Sequence, residues 1–327
     1  MYLEYGRSVE GKIRRMVGKT DDTTAFVTTI GWLERGDADD NKLTEVTTPS
    51  NTLVAIYGMS FAQHISEQLS KLSSSIEIRF LGGPSAPPNH SYALYQLGRG
   101  KHKAKVVAWG ILASSVVGMT TMTSLNKSFE YPSPYTYPKY RVVNSDLQVQ
   151  YPPITSMADF RATLSDQKKW SNYVDYLKTE DSYYQPFLFH ESFIDNLATV
   201  RFFRRSLSNR YNKKVIASIY QSDTGFRPDT VEIKALQMMV AEFARQVRED
   251  NQLPLLMLFN NQGYSDHLYQ TLSDVILKYK IPTMSSHNIV ATDNPKNFMA
   301  DGHFTPSADR KMAEETLKII VTNENIP

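Results

Sequence analysis

A short apolar run that ends in a glycine most constrains how this chain can fold. Residues 53–57 (Leu-Val-Ala-Ile-Tyr) are continuously apolar and include β-branched side chains, which predicts a buried strand. Residues 61–72 then carry apolar side chains at the spacing of a helix. Gly58 and Ser60 lie in the turn between these two elements. Because the first N–H groups of a helix lack intrahelical partners, they can stabilise negative charge beside the Ser60 hydroxyl.

Strand and helix patterns alternate along much of the chain. Further strands are predicted at 76–81, 106–111, 255–259 and 281–284, and helices at 61–74, 229–250, 265–280 and 307–321. Continuously apolar strands that alternate with helices are typical of a parallel sheet covered on both faces. We therefore predict an α/β fold, a three-layer α/β/α sandwich whose mostly parallel sheet has about five strands. Ligands of such sheets bind at the carboxyl ends of the strands, so residues that follow a strand are candidates for a site.

Two segments fall outside this alternation. Residues 1–50 are predicted to form an N-terminal helix and linker ahead of an α/β domain that spans 51–327. Residues 120–228 are predicted to form a cap subdomain inserted into that domain, because they are too many for a plain loop. The insertion begins with a stretch rich in tyrosine and proline. Tyr135 and Tyr137 of this stretch either offer an aromatic surface that binds sugars or pack an irregular loop onto the domain.

The composition excludes several classes of function. The 327 residues include 36 basic and 34 acidic side chains, for a net charge of +2, so no strong field for nucleic acid or an anionic membrane is expected. Cysteine is absent, which excludes disulfides, thiol catalysis and cysteine-ligated zinc. No glycine-rich phosphate-binding loop follows a strand. We expect neither a nucleic-acid partner nor a cofactor.

A second motif, near the end of the chain, supplies what a serine nucleophile needs. Residues 301–306 (Asp-Gly-His-Phe-Thr-Pro) follow the last predicted strand and open the last predicted helix, so they should reach the same edge of the sheet as Ser60. A neutral histidine can take the serine proton near neutral pH, and a carboxylate can fix its tautomer. Asp301 and His303 are close enough for one loop to provide both groups. A metal would need a third ligand, which is not evident, so no metal is expected.

Together these motifs resemble those of the SGNH (GDSL-like) hydrolase family. Residues 58–60 (Gly-Met-Ser) take the place of the family's Gly-Asp-Ser block. Residues 81–83 (Leu-Gly-Gly) are similar to its glycine block after the second strand, and residues 301–306 resemble its terminal Asp/His block. The resemblance covers about 51–122 and 253–321 and leaves out the first segment and the insertion.

The resemblance implies a role for each of these residues. Ser60 would be the nucleophile, His303 the base and Asp301 its orienting partner. The N–H groups of Ser60 and of Gly82 or Gly83 would line the oxyanion hole. The Asp–His spacing is two here, where many family members have three.

The sequence departs from the family pattern at two further places. Met59 stands where the family has an aspartate, and we assign it to substrate contact. The family's oxyanion-hole asparagine after the third strand has no counterpart, because that stretch reads Trp-Gly-Ile-Leu-Ala-Ser-Ser. Ser114 or Ser115 could donate a hydroxyl instead, or Asn260 or Asn261 could reach the same edge after the fourth strand, Asn260 also as a substrate contact. Each has the alternative that it only caps a helix or a turn.

Two other histidines lie near these motifs in the sequence. His64 is one helical turn beyond Ser60, and we interpret it as a surface or paired side chain rather than a competing base. His90 follows two prolines in a predicted loop, where it could contact substrate.

The function implied by the resemblance is serine-dependent ester chemistry on O-acyl groups. The family's use in bacterial surface-polysaccharide modification indicates O-acetyl groups of a carbohydrate or polysaccharide as the substrate. The acyl-serine intermediate would pass to water in an esterase, or to a polysaccharide hydroxyl in an O-acetyltransferase. A third possibility, which the missing asparagine permits, is a catalytically weak domain that binds polysaccharide or scaffolds an assembly.

The expected setting is periplasmic or otherwise extracytoplasmic, with a cytoplasmic setting as the alternative. The residues given predict neither a signal peptide nor an apolar run of transmembrane length. The residues that directly follow Met1 do not show the pattern of a helix or strand that begins a fold. We therefore expect that a membrane tether, if the natural protein has one, precedes Met1.

Overall fold

The chain divides into two compact units. The computed structural model describes residues 4–17, 31–34, 42–84 and 86–324, so much of the predicted N-terminal linker lies outside the described residues. The first unit, which we call the helical unit, comprises the described residues of Met1–Gly36, Val117–Lys139 and Gln150–Ile219. The second, which we call the sheet unit, comprises the described residues of Asp37–Val116, Tyr140–Val149 and Tyr220–Pro327.

The described residues form strands, α-helices and short 3-10 helices. The strands are β1 Thr52–Gly58, β2 Ile76–Gly82, β3 Val106–Leu112, β4 Lys139–Val143, β5 Asp146–Gln150, β6 Tyr220–Gln221, β7 Gly225–Phe226, β8 Leu253–Phe259 and β9 Thr283–Ser285. The helices are α1 Val9–Met16, α2 Ser60–Leu72, α3 Pro88–Gly98, α4 Met157–Ser165, α5 Gln167–Glu180, α6 Pro186–Phe189, α7 Ala198–Ile219, α8 Val231–Glu249, α9 His267–Lys278 and α10 Pro306–Glu324. Among the helices of the described residues, none combines the length and the apolar character needed to cross a bilayer.

A five-stranded parallel sheet in the order β2-β1-β3-β8-β9 forms the centre of the sheet unit. The pairing of β1 with β2 runs from Thr52 opposite Ile76 to Gly58 opposite Gly82. Every residue of β1 and β3 is buried, as expected of strands that are covered on both faces. This topology confirms the predicted α/β fold and its mostly parallel sheet of five strands.

Helices cover both faces of the sheet, so the sheet unit has three layers. Helices α2 and α10 pack together on one face, where Val54 of β1 and Ile65 of α2 lie in one continuous apolar core. Helices α3, α8 and α9 cover the other face, where Trp109 of β3 contacts Phe243 of α8. Alternate residues of each strand supply the two cores. The predicted three-layer sandwich is therefore confirmed for this unit.

One helix of the sheet unit replaces a predicted loop. Helix α3 begins with Pro88, at the first helical position, where the missing N–H of proline is not needed. Most of its residues are buried, including polar ones such as Asn89 and His90, so no exposed polar stripe marks it in the sequence. His90 is 1% exposed, and its place in a loop open to substrate is corrected accordingly.

The helical unit is built around an aromatic core to which α1, α4, α5 and α6 contribute. Tyr135 and Tyr137 lie in this core and are 8% and 3% exposed. Tyr135 meets Trp32 edge-on, with 5.6 Å between the ring centroids, and the Tyr137 hydroxyl is hydrogen-bonded to Ser124. Of the two interpretations of these tyrosines, the packing of an irregular loop is therefore the one that the structure shows. The aromatic sugar surface is corrected for both.

Candidate active site

Close packing between β1 and the first turn of α2 fixes the position of Ser60. A Cβ added to Gly58 would lie 2.5 Å from the Cβ of Ala62, and one added to Gly110 of β3 would lie 2.8 Å from the same atom. Because glycine occupies both positions, the first turn of α2 can rest directly on the sheet. Ser60 is the first residue of the helix, and Met59 before it makes no side-chain cap. The N–H groups of this first turn are therefore not used by a capping side chain.

A closed loop holds His303. Phe298 and Phe304 form an isolated antiparallel bridge, and the N–H of Met299 donates to the His303 carbonyl at 2.7 Å. Gly302 turns the chain with a φ of +87°, which glycine adopts without the steric penalty of other residues. The Phe304 ring is fully buried, so the loop is anchored in the core just before α10 begins.

The structure brings Ser60 and His303 into direct contact. The two residues are 243 positions apart, and Oγ of Ser60 lies 2.7 Å from Nε2 of His303. The hydroxyl can donate to Nε2 only when the ring carries its proton on Nδ1. Oδ2 of Asp301 lies 3.1 Å from Nδ1, which favours that tautomer. In this arrangement the histidine can take a proton from the serine hydroxyl.

Asp301 is the least constrained member of this group. Its side chain is 64% exposed, and its Oδ1 accepts the backbone N–H of His303 at 3.1 Å. The Nδ1–H of His303 does not point at Oδ2 closely enough for an aligned hydrogen bond. The backbone hydrogen bond, together with the charge of the His303 ring, holds the pKa of Asp301 below its usual value. The carboxylate is therefore charged at neutral pH and loosely oriented.

Two neighbouring rings pack against the His303 ring. Phe61 stacks on it with 4.7 Å between centroids and 28° between planes. The His64 ring lies 5.1 Å away, and its Nδ1 is 3.2 Å from Oδ2 of Asp309 on α10. His64 is thus a paired side chain, in line with its interpretation. Sequence reasoning missed both Phe61 and Asp309; the available signal for Asp309 was an acidic residue in the first turn of the helix that follows His303.

The glycine block lies at the end of β2, beside the end of β1. Gly82 pairs in register with Gly58, and the N–H of Gly83 donates to the Gly58 carbonyl at 3.3 Å. A Cβ on Gly83 would lie 2.8 Å from the His90 ring, so this histidine packs directly against the turn. An oxyanion-hole role for Gly83 would require its long hydrogen bond to Gly58 to open.

Two of the residues that could replace the missing oxyanion-hole asparagine make their hydrogen bonds elsewhere in the fold. Ser115 is buried, and its hydroxyl donates to the Leu112 carbonyl at 2.8 Å. Asn260 is fully buried; its side chain donates to the Ser285 hydroxyl at 3.3 Å and accepts the N–H of Leu268 at 3.2 Å. The structure therefore does not bring either group to the Ser60–His303 pair.

The other two predicted residues are Ser114 and Met59, and only the Ser114 hydroxyl remains available to contact a substrate. Ser114 is half-buried, and its N–H donates to Oδ1 of Asn261 at 3.2 Å. Within the described ranges its hydroxyl has no hydrogen-bond partner, so Ser114 is the hydroxyl candidate that the fold leaves accessible. Met59 is 1% exposed, and its side chain lies in the core between the sheet and α2. Its assignment to substrate contact is corrected.

The site offers no recognisable place for a metal. Across the part of the chain that the structure describes, no group of three or more His, Asp or Glu side chains is arranged to hold an ion. The chemistry available at this edge of the sheet is that of a hydroxyl, an imidazole, two carboxylates and the N–H groups of a helix start.

Comparisons with known proteins show only distant structural similarity. No protein-family model and no curated protein matches it. One of the matching solved structures is described provisionally as a lipolytic protein of the G-D-S-L family from Desulfitobacterium hafniense DCB-2. That chain is 8% identical over 82% of this chain and 99% of its own length, with a TM-score of 0.36. Since this similarity assigns no activity, the class rests on the molecule itself: an α/β protein with a five-stranded parallel sheet and a serine–histidine pair.

Proposed function

We propose that the sheet unit carries out serine-dependent ester chemistry in the manner of SGNH hydrolases, with Ser60 as the nucleophile and His303 as the base. The observation that carries the proposal is the 2.7 Å contact between Oγ of Ser60 and Nε2 of His303. A hydroxyl bonded to an imidazole whose other nitrogen faces a carboxylate is the arrangement that activates a serine. The motifs that supply the three side chains are also those that resemble the SGNH family.

The reaction follows from the positions of these atoms. Oγ of Ser60 attacks the acyl carbonyl carbon while Nε2 of His303 takes the hydroxyl proton. The negative charge that forms on the carbonyl oxygen is stabilised by N–H groups at the start of α2, with the Ser114 hydroxyl as a further candidate donor. The ester C–O bond then breaks, and His303 gives its proton to the leaving oxygen, which yields acyl-Ser60. An incoming water or hydroxyl attacks this ester as its proton passes to Nε2 of His303. His303 then returns that proton to Oγ of Ser60 as the bond between Oγ and the acyl carbon breaks, which restores the free enzyme.

For the substrate we propose O-acetyl groups of a carbohydrate, in an extracytoplasmic setting. The support for this finer proposal is the resemblance to a family that modifies bacterial surface polysaccharides. The acceptor decides between two outcomes: water gives an esterase, and a sugar hydroxyl gives an O-acetyltransferase. The same serine and histidine serve both outcomes.

Hydrolysis of p-nitrophenyl acetate by purified protein tests the ester chemistry. We expect turnover that Ser60→Ala and His303→Asn each lower by about 10³-fold or more. Ser70→Ala, an exposed serine on the same helix, is the matched control and should retain the rate of the unmodified protein. Equal rates for the unmodified protein and Ser60→Ala, with both folded, would contradict the proposal.

Supplying an acetyl donor together with an oligosaccharide acceptor separates the two outcomes. Acetylated oligosaccharide, detected by mass spectrometry and lost in Ser60→Ala, identifies a transferase. Free acetate alone, at every acceptor concentration, identifies an esterase.

A further inference from the structure

A second carboxylate–imidazole pair lies next to His303 and has no part in the mechanism above. His64 on α2 and Asp309 on α10 face each other, with 3.2 Å between Nδ1 and Oδ2. A carboxylate at that distance favours the His64 tautomer that carries its proton on Nδ1. The His64 ring in turn lies 5.1 Å from the His303 ring, at 42° to it. The pair is thus in contact with the ring that must become positively charged when Ser60 is deprotonated.

The surroundings of Asp309 are unusual for an acidic side chain. It is 4% exposed, and no described residue donates a hydrogen bond to its Oδ1. The ionisable groups that face it are His64 and Glu67 from α2 and His303 from the loop before α10. Burial raises the pKa of Asp309 to about 6, against the opposing effect of the two histidines. A buried, half-satisfied carboxylate is costly to keep, and such groups concentrate at functional sites.

Asp301 offers less support to the His303 ring than its motif suggests. Its side chain is largely in water, where charge interactions are screened, and its hydrogen bond to the ring is not aligned. Asp309 lies in a less polar environment, where a charge acts more strongly on its neighbours.

We propose that Asp309, held by His64, is a positioning residue that supports the positive charge on His303 during proton transfer from Ser60. The proposal rests on the proposed function and deepens it, because it divides the carboxylate's role between an exposed Asp301 and a buried Asp309. His64 sets the orientation of the Asp309 carboxylate and packs against the His303 ring.

The pH profile of kcat/KM in Asp309→Asn tests the proposal. Removing a negative charge makes the charged imidazole less favourable, so His303 should become neutral, and able to act as base, at lower pH. We expect the midpoint of the acidic limb to fall by roughly 0.5–1 pH unit, since opposite charges at this range shift titrations by such amounts. We also expect kcat to fall about 10-fold with little change in KM. A purely structural role for Asp309 would leave the midpoint unchanged.

Two matched variants make the result specific. Glu67→Gln removes a negative charge from an exposed position on α2, one turn beyond His64, and should leave the midpoint within about 0.2 pH units, because solvent screens it. His64→Asn keeps a donor near the position of Nδ1 and should retain most of the activity, whereas His64→Leu should lose as much as Asp309→Asn. A midpoint that moves equally in Glu67→Gln and Asp309→Asn would overturn the pairing, as would an unmoved midpoint in Asp309→Asn.

An NMR titration of the histidine ring signals in a Ser60→Ala background tests the coupling between Asp309 and His303 independently of ester hydrolysis. The His303 signal is assigned by its loss in His303→Asn. The expected result is a lower titration midpoint for His303 in Asp309→Asn, whether or not the protein hydrolyses esters. An unshifted His303 titration in a folded variant overturns the coupling, whereas absent turnover of every ester overturns the proposed function alone.

Discussion

Gly58 and Ala62 leave no room for a side chain between β1 and α2: a Cβ on Gly58 would lie 2.5 Å from the Cβ of Ala62. Gly58→Ala should therefore push the first turn of α2 off the sheet and carry Ser60 with it. We expect a loss of about 1–3 kcal/mol in the free energy of unfolding, as is usual for overpacking. Esterase activity should fall by about 100-fold, because displacements near 1 Å have that effect on aligned groups. Urea unfolding and p-nitrophenyl acetate turnover measure the two effects.

A second substitution should reverse the first. In Gly58→Ala/Ala62→Gly the colliding methyl group is removed, and the remaining neighbours of the new Cβ lie at 3.6 Å, an ordinary contact. Activity should recover to within about threefold of the unmodified protein, while the glycine in α2 costs about 1 kcal/mol of stability. If the double variant is as inactive as Gly58→Ala, the close approach is not what positions Ser60.

Asp301→Asn should lower kcat less than the equivalent substitution does in a protein whose aspartate is buried and aligned with the histidine. There, the loss in kcat is about 10⁴-fold. Asp301 is 64% exposed and its contact with Nδ1 is not aligned, so we expect a loss of only about 10–100-fold here. Steady-state kinetics of Asp301→Asn and Ser60→Ala, measured under the same conditions, provide the comparison. A loss as large as that of Ser60→Ala would mean that Asp301 carries the whole role.

The sheet and the serine–histidine pair were predictable because local pattern determines them. Strands β1 and β3 are continuous apolar runs, and a buried parallel sheet requires such runs. Ser60 and His303 follow strands at opposite ends of the chain, and parallel topology brings the ends of such strands to one edge. What the sequence could not show was the fine geometry of Asp301, which depends on loop conformation.

The other differences between the predictions and the structure have one physical cause. In each case a side chain is buried although no periodic apolar pattern in the sequence reveals that burial. Helix α3 is buried on nearly all sides, so its polar residues look like those of a loop. Tyr135 and Tyr137 lie in an irregular segment, where nothing in the spacing separates a core side chain from an exposed one. Asp309 gains its environment from His64, which lies far away in the sequence, so only the packing of α2 against α10 reveals the pair.

Asn260 should behave as a structural residue. Its buried side chain connects the end of β8 to the Ser285 hydroxyl and to the start of α9 through the N–H of Leu268. Asn260→Ala leaves buried hydrogen-bonding groups without a partner, which should cost about 1–3 kcal/mol in the free energy of unfolding. Turnover per folded molecule should stay within about threefold of the unmodified protein. If Asn260→Ala lost turnover while its stability was unchanged, the result would support a role for Asn260 in the oxyanion hole.

Asp181 should make the stability of the helical unit depend on pH. It is buried, accepts hydrogen bonds from Asn126 at 2.6 Å and from the N–H of Tyr183 at 2.9 Å, and burial raises its pKa to about 6. A raised pKa means that the folded state holds the proton more tightly. Its stabilising effect is therefore complete below the ordinary pKa of 3.8 and is lost as pH rises through about 6.

Asp181→Asn should flatten that dependence. We expect the contribution of this group, of order 3 kcal/mol between about pH 4 and 7, to disappear from the unfolding curves of the variant. Asp175→Asn changes an exposed aspartate on the same unit and should leave the slope as it is. Parallel slopes for Asp181→Asn and the unmodified protein across this range would contradict the assignment.

Covalent labelling of Ser60 tests the account at its centre. The protein is incubated with a serine-reactive organophosphonate, and the site of the adduct is located by peptide mass spectrometry. We expect one adduct, on Ser60, that forms at least about 100-fold more slowly in His303→Asn and is absent from Ser60→Ala. No adduct on Ser60 in the folded protein, or labelling at the same rate in His303→Asn, would contradict the claim that these two residues form an active nucleophile.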